Sequence, residues 1–184
     1  PMPLSPAPVA RQRLHVRSIQ LYGFKREDGL WDVEARLTDV KDHDYPLSSG
    51  LRPAGEPVHD MWVRVTIDRE FNILAAETRT DGMPYVGQCD RINADYNRLV
   101  GLNLFHGFRR AVKERFGDVK GCSHLTELVM VLPTAAIQTF ASEMKDNEDH
   151  GHKPYQLDRC HALESTSEAV QRYYPRWYRD QKMG

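Results

Sequence analysis

Leu30-Trp31-Asp32-Val33-Glu34-Ala35-Arg36-Leu37-Thr38-Asp39-Val40 alternates apolar and polar side chains, with Trp31, Val33, Ala35 and Leu37 on one side and Asp32, Glu34, Arg36 and Thr38 on the other. A period of two marks a strand with one buried face. The same period returns downstream, where His59, Met61, Val63, Val65 and Ile67 oppose Asp60, Trp62, Arg64 and Thr66. Upstream, Leu14 to Tyr22 has mixed β character, and Asp28-Gly29 supplies the turn of a hairpin. Ile73 to Thr80 pairs naturally with the strand before it. Between the second and third strands, residues 42 to 57 hold Pro46, Gly50, Pro53, Gly55 and Pro57, a loop long enough to cover a site.

After Thr80 the period changes to that of a helix. Cys89, Ile92, Tyr96 and Leu99 share one face, and Leu104, Phe108, Val112 and Phe116 share another. A third helix opens near Cys122 or Ser123 and turns Leu125, Leu128, Val129, Leu132, Ala136 and Phe140 inward, with Pro133 placed to kink it. Asp90 is positioned to cap the first. Strands first and helices second predict an α+β domain: an antiparallel sheet of about four strands with about three helices packed on one face. The Pro-rich residues 1 to 13 read as a flexible lead, 14 to 145 as the domain, and 146 to 184 as a C-terminal appendage carrying the cluster Tyr173-Tyr174-Pro175-Arg176-Trp177-Tyr178. That cluster is suited to docking on the core, closing a pocket, or burying itself in a second copy of the chain as a homodimer.

Composition narrows the function classes. The 25 Lys plus Arg balance 26 Asp plus Glu, giving a net charge of -1 that offers no general attraction to nucleic acid or to an anionic membrane. No run of 18 apolar residues and no secretory signal pattern is present, so a cytoplasmic setting and a small-molecule partner are the expectation. Three cysteines at 89, 122 and 160 do not read as a disulfide framework and are treated as reduced thiols. Phosphate loops, nucleophile elbows and H-E-x-x-H helices are absent, which disfavours the familiar nucleotide enzymes and hydrolases.

Chemistry concentrates in Gly121-Cys122-Ser123-His124-Leu125-Thr126-Glu127-Leu128, with Val58-His59-Asp60-Met61 and Pro84-Tyr85-Val86-Gly87-Gln88-Cys89 as the segments able to supply partners. On a regular helix Cys122 and His124 project about 200° apart, so both cannot chelate from the helix itself. His124 and Glu127 share a face, which lets Glu127 orient the imidazole or act as a general base. Cys122 falls in phase with Leu125 and Val129, and Cys89 with Ile92 and Tyr96, so each thiol fits a core position as well as a ligand position. Asp60 has Arg64 as an alternative partner, and Tyr85 is placed either to donate to a substrate oxygen or to fill a turn. Asp39, Lys41 and His43 end the Trp31 strand, placed to border the covering loop and the site or to form a solvated charge run. His150, His152 and Cys160-His161 resemble ligands by composition alone.

Tyr22-Gly23-Phe24-Lys25-Arg26, Asp28-Gly29-Leu30-Trp31-Asp32, Gly55-Glu56-Pro57-Val58-His59-Asp60-Met61, Leu99-Val100-Gly101-Leu102 and the Gly121 to Leu128 segment resemble the bacterial domain-of-unknown-function family numbered 2889, over about residues 14 to 145. The resemblance implies an association with the catabolism of aromatic compounds. The chain is also similar to the U-type iron-sulfur scaffold proteins, whose metal site would correspond to Asp60, Cys89 and Cys122 here. Val58 and Gly121 stand where that family has its first Cys and a His, which turns the implied site into a mononuclear one completed by His59 or His124.

Together these features predict a small enzyme assisted by zinc or iron(II), with His59, Asp60, Cys89 and Cys122 as metal ligands and Glu127, His124 and Tyr85 in catalytic roles. The reaction implied is a retro-aldol-like lyase cleavage, or a hydrolysis, of an aromatic or phenolic metabolite held against Tyr22, Trp31, Tyr85 or Trp62. The alternative is a non-enzymatic metal or iron-sulfur carrier, or a partner protein of a catabolic complex.

Overall fold

Strands β1 (His15–Lys25) and β2 (Trp31–Lys41) pair antiparallel along their whole length, joined by a turn in which Gly29 takes a φ of 81° and Asp28 accepts a hydrogen bond from the Leu30 amide. The computed structural model describes residues 4–141, 143, 151, 153, 154 and 156–180. They fall into two compact units, Pro1–Phe140 and Ala141–Gly184.

In the first unit β5 (Pro57–Ile67) and β6 (Ile73–Gly82) complete an antiparallel sheet of order β1-β2-β5-β6. The two inward stripes behave as alternation requires. Trp31, Val33, Ala35 and Leu37 of β2 and Met61, Val63, Val65 and Ile67 of β5 are all buried. The outward face carries ion pairs instead. Arg64 lies between Glu34 and Glu77, and Arg36 binds Asp60 while stacking over Trp62.

Residues 42 to 56 are not an unstructured loop. They contain a short two-stranded hairpin, β3 (Tyr45–Leu47) and β4 (Gly50–Arg52). Strands of three residues are too short to show a period, which is why the sequence pattern does not reveal them.

Helices cover the inner face. The segment expected as a first helix is a 3-10 helix, Arg91–Leu99, that buries Tyr96 and Leu99. Asp90 sits at its N-cap position without a side-chain cap hydrogen bond, and Thr78 of β6 donates to the Asn93 carbonyl. Asn93, Asp95 and Asn97 are poor α-formers, consistent with a tighter, less regular turn. Helix α1 (Phe108–Phe116) buries Phe108, Val112 and Phe116. Helix α2 (Ser123–Ala141) continues across Pro133 and buries all six residues assigned to its core stripe.

Two contacts fix how α2 lies on the sheet. A Cβ on Gly23 would stand 1.9 Å from Thr139 Oγ1, so the helix passes directly over β1 at that glycine. Phe140 meets Trp31 with ring centroids 4.3 Å apart. The C-terminal turn of α2 therefore sits at the Gly23 and Trp31 end of the hairpin, and its first turn reaches the opposite end, where β1 starts and β2 finishes. Among the described residues no helix is long and apolar enough to cross a membrane.

The second unit holds helix α3 (Glu168–Tyr173), capped by Ser167, whose side chain accepts from the Val170 amide. Asp158 organises the preceding segment by accepting from the Ser165 amide and hydroxyl, both at 2.7 Å, and pairing with Lys153. Cys160 and His161 are exposed there. His150 and His152 lie outside the described residues.

Candidate metal and proton-transfer centre

The inward stripe of β2 does not stop at Leu37. Asp39 occupies the next inward position and is 4% exposed, a carboxylate at the end of an apolar row. Burying a charge is costly unless partners replace water. Here they come from three elements. Arg17 of β1 donates to both Asp39 oxygens at 2.8 Å, through Nε and a terminal nitrogen. His15 Nε2 lies 2.8 Å from Oδ1, and His59 Nδ1, directly across the β2–β5 ladder, lies 3.0 Å from Oδ2. His124 Nε2, from the first turn of α2, lies 3.6 Å from the same Oδ2. The two imidazoles of His59 and His124 lie against each other, tilted by 30°, with centroids 3.8 Å apart.

Asp39, His59 and His124 form a group whose ligand-capable atoms all lie within 4.8 Å of one another, a set that could hold a metal ion. Burial works to raise the Asp39 pKa, but the hydrogen bonds from Arg17, His15 and His59 and the Arg17 charge outweigh it and hold the carboxyl well below its ordinary range. Burial lowers the pKa of His59, helped by the neighbouring His124, and lowers that of His124, helped by Arg17. Both shifts favour the neutral form that a metal ligand or a general base requires, against the pull of the Asp39 charge toward the protonated one.

Tyr96 sets where this first turn sits. Its hydroxyl accepts from the Cys122 amide at 3.1 Å, donates to the Cys122 carbonyl at 3.0 Å and lies 2.8 Å from Thr126 Oγ1. The ring stacks on Phe116 at 4.5 Å. A buried phenol thus does the work of a helix cap at the residue before α2.

Of the residues predicted from sequence, the structure brings together His59, His124 and Cys122. Cys122 Sγ stands 3.9 Å from His124 Nδ1 and 3.9 Å from Met61 Sδ, beside the cluster rather than in it. Asp60 is corrected. Next to His59 on a strand, it points to the other face and is held by Arg36 at 2.9 and 2.7 Å. Glu127 binds Arg17 at 2.5 Å, and its charge also acts on His124, raising that pKa against the effect of burial. Cys89 belongs to no group of three ligating side chains among the described residues, so the Asp60, Cys89 and Cys122 set implied by the scaffold resemblance does not assemble. Tyr85 is exposed on the turn whose carbonyl accepts from the Cys89 amide.

The predicted aromatic wall is not formed at the cluster. Trp31 is eight residues along β2 from Asp39, about 26 Å at strand rise, and Trp62 and Tyr22 belong to the outward rows. Sequence reasoning missed His15 and Arg17 altogether and placed Asp39 at the border of the site or in a solvated charge run, not among its ligands. The available signal was phase, since 31, 33, 35, 37 and 39 are one row.

No curated protein and no solved structure matches the chain. The family model described as "Protein of unknown function (DUF2889)" matches residues 15–138, a span that runs from His15 through every residue of the cluster and nearly all of α2, and the chain belongs to that family.

Proposed function

We propose that the chain is a small metal-assisted enzyme, a lyase cleaving a carbon–carbon bond in retro-aldol fashion or a hydrolase, acting on an aromatic or phenolic metabolite. The observation that carries this reading is the convergence of Asp39, His59 and His124 at one rim of the sheet. One carboxylate and two neutral imidazoles suit zinc or iron(II), and three protein ligands leave room in the coordination sphere for a substrate oxygen. Bound there, the ion would supply Lewis-acid polarisation.

The chain's own groups supply the rest. Asp39 contributes the negative charge and is fixed by Arg17. In a retro-aldol cleavage the substrate hydroxyl loses its proton and its oxygen becomes a carbonyl as the C–C bond breaks. The electron pair left on the departing carbon then takes up a proton. His15 touches Asp39 yet stands at the start of edge strand β1, so it is the imidazole placed to carry that proton. The aromatic character of the substrate rests on the family association. A cluster carrier has less support, because among the described residues Cys89 and Cys122 belong to no common ligand group.

One observation favours a second reading. Arg17 already occupies both Asp39 oxygens and supplies a positive charge where an ion would stand. The same residues would then work without metal, with a neutral histidine as general base oriented by Asp39. Elemental analysis of the purified chain and of His59→Ala and His124→Ala separates the two. Near-stoichiometric zinc or iron lost in both variants supports the metal-assisted enzyme. Chelator-resistant turnover of a phenolic β-hydroxy substrate, abolished by His59→Ala, supports the second reading and sinks the first.

A further inference from the structure

Arg17 spans two carboxylates that belong to different elements. Two of its nitrogens hold Asp39, at the end of β2, and a third holds Glu127, one turn into α2. The two sides differ in exposure: the Asp39 side chain is 6% exposed and that of Glu127 45%. The guanidinium thus bridges an enclosed carboxylate that belongs to the ligand group and an open one that does not.

We infer that Arg17 is a latch that competes with the cation for Asp39, and that Glu127 sets the strength of that competition by drawing the guanidinium toward solvent. The inference rests on the metal-assisted reading above. A divalent ion against Asp39 Oδ2 would stand within a few ångströms of the guanidinium, and like charges so close, with water partly excluded, repel strongly. Arg17 is one-third exposed and keeps an ionic partner if it slides toward Glu127, so relief of that repulsion needs no charge left unpaired. Each departure from this arrangement has its own sign. Removing the guanidinium strengthens ion binding, and removing Glu127 leaves the guanidinium wholly on Asp39 and weakens it. A purely structural role for Arg17 would give only weakening.

Calorimetric titration of the full chain with cobalt(II) and zinc(II) at fixed ionic strength tests this. Arg17→Met should bind about tenfold more tightly than the parent, the scale set by one charge repulsion in a partly wet site. Glu127→Gln, a change on the exposed side of α2, should bind several-fold more weakly. In the Arg17→Met background the Glu127→Gln effect should fall to less than half, because its route through Arg17 is gone. Equal weakening by Glu127→Gln in both backgrounds, or Arg17→Met binding no tighter than the parent, overturns the latch. Binding that survives His59→Ala overturns both the latch and the metal site beneath it. Binding lost in His59→Ala but not tightened by Arg17→Met overturns the latch alone.

Discussion

Asp39 and His59 face one another across β2 and β5 at the last regular rung of the ladder, their Oδ2 and Nδ1 atoms 3.0 Å apart, and the register slips immediately beyond, between Asp39 and Val40. The sheet thus delivers a carboxylate and an imidazole as a cross-strand pair at the point where regular pairing ends. Such pairs have Cβ atoms about 5 Å apart, close enough for their functional groups to meet without strain. A third strand adds Arg17 and His15, and a helix start adds His124.

Asp39→Asn should destabilise the fold by about 2 kcal/mol, measured by urea denaturation. Removing one partner from a fully buried ion pair costs more than this, but Arg17 retains one-third exposure and can rehydrate. The same substitution removes the one anionic group of the proposed centre, so cobalt(II) affinity should fall in parallel.

Gly23→Ala should be disruptive out of proportion to one methyl group. Its Cβ would fall 1.9 Å from Thr139 Oγ1 and 2.7 Å from Thr139 Cβ, which forces α2 away from β1. A loss of about 1–3 kcal/mol follows from overpacking of this kind. Thr139→Ala should recover only part of it, since the Cβ contact remains, and Thr139→Gly more. Each recovery is read against the same Thr139 substitution in the Gly23 parent, because glycine costs a helix about 1 kcal/mol relative to alanine; equal recovery by both after that correction would show that the helix does not lie where these distances put it.

Stability should fall as pH drops below about 6.5 in chelator-treated protein, because burial lowers the folded-state pKa of both His59 and His124 below that unfolded-state value. The sign follows from proton uptake. Between the two values the unfolded chain binds the protons that the folded chain refuses, so stability is fully present above the unfolded-state pKa. It declines toward the folded-state value and levels off beneath it. Melting temperatures from pH 8 to pH 5 should show this slope, and His124→Asn should flatten it. A slope unchanged in His124→Asn would remove the imidazole from this account.

Much of the fold was legible because it is periodic. The stripes of β2, β5 and α2 follow local rules and emerge as drawn, down to the six buried residues of α2. The site was legible only where chemistry stayed in local motifs, as for His59 and His124. Asp39 lay in phase with Trp31 and Leu37, yet a carboxylate in a core row is stable only if donors arrive from elsewhere. Those donors, Arg17 and His15, are 22 and 24 residues away on a strand whose inward row is polar at that end. Asp60 illustrates the converse: its neighbour His59 faces the cluster, and strand alternation alone sends Asp60 to the opposite side, to Arg36. Periodicity names the faces of a strand but not which face a site will occupy.

Tyr96→Phe should weaken the site without touching a ligand. The substitution removes the acceptor of the Cys122 amide and one of the two donors to the Cys122 carbonyl, which keeps the Thr126 amide at 2.9 Å, so one backbone N–H is left to find a new partner at the residue before α2. That costs about 1–2 kcal/mol. The larger consequence is positional, because His124 lies two residues further on and its Nε2 must stay near Asp39 Oδ2, 3.6 Å away. Cobalt(II) affinity should therefore drop in Tyr96→Phe while His59, anchored by the β2–β5 ladder, keeps its contact with Asp39. Cys89→Ala is the matched comparison. Its thiol belongs to no ligand group among the described residues, so the ion affinity of that variant should equal the parent's. If Cys89→Ala lost the ion and Tyr96→Phe kept it, the ligands would have to be sought around the thiol, and the Asp39, His59 and His124 centre would be abandoned.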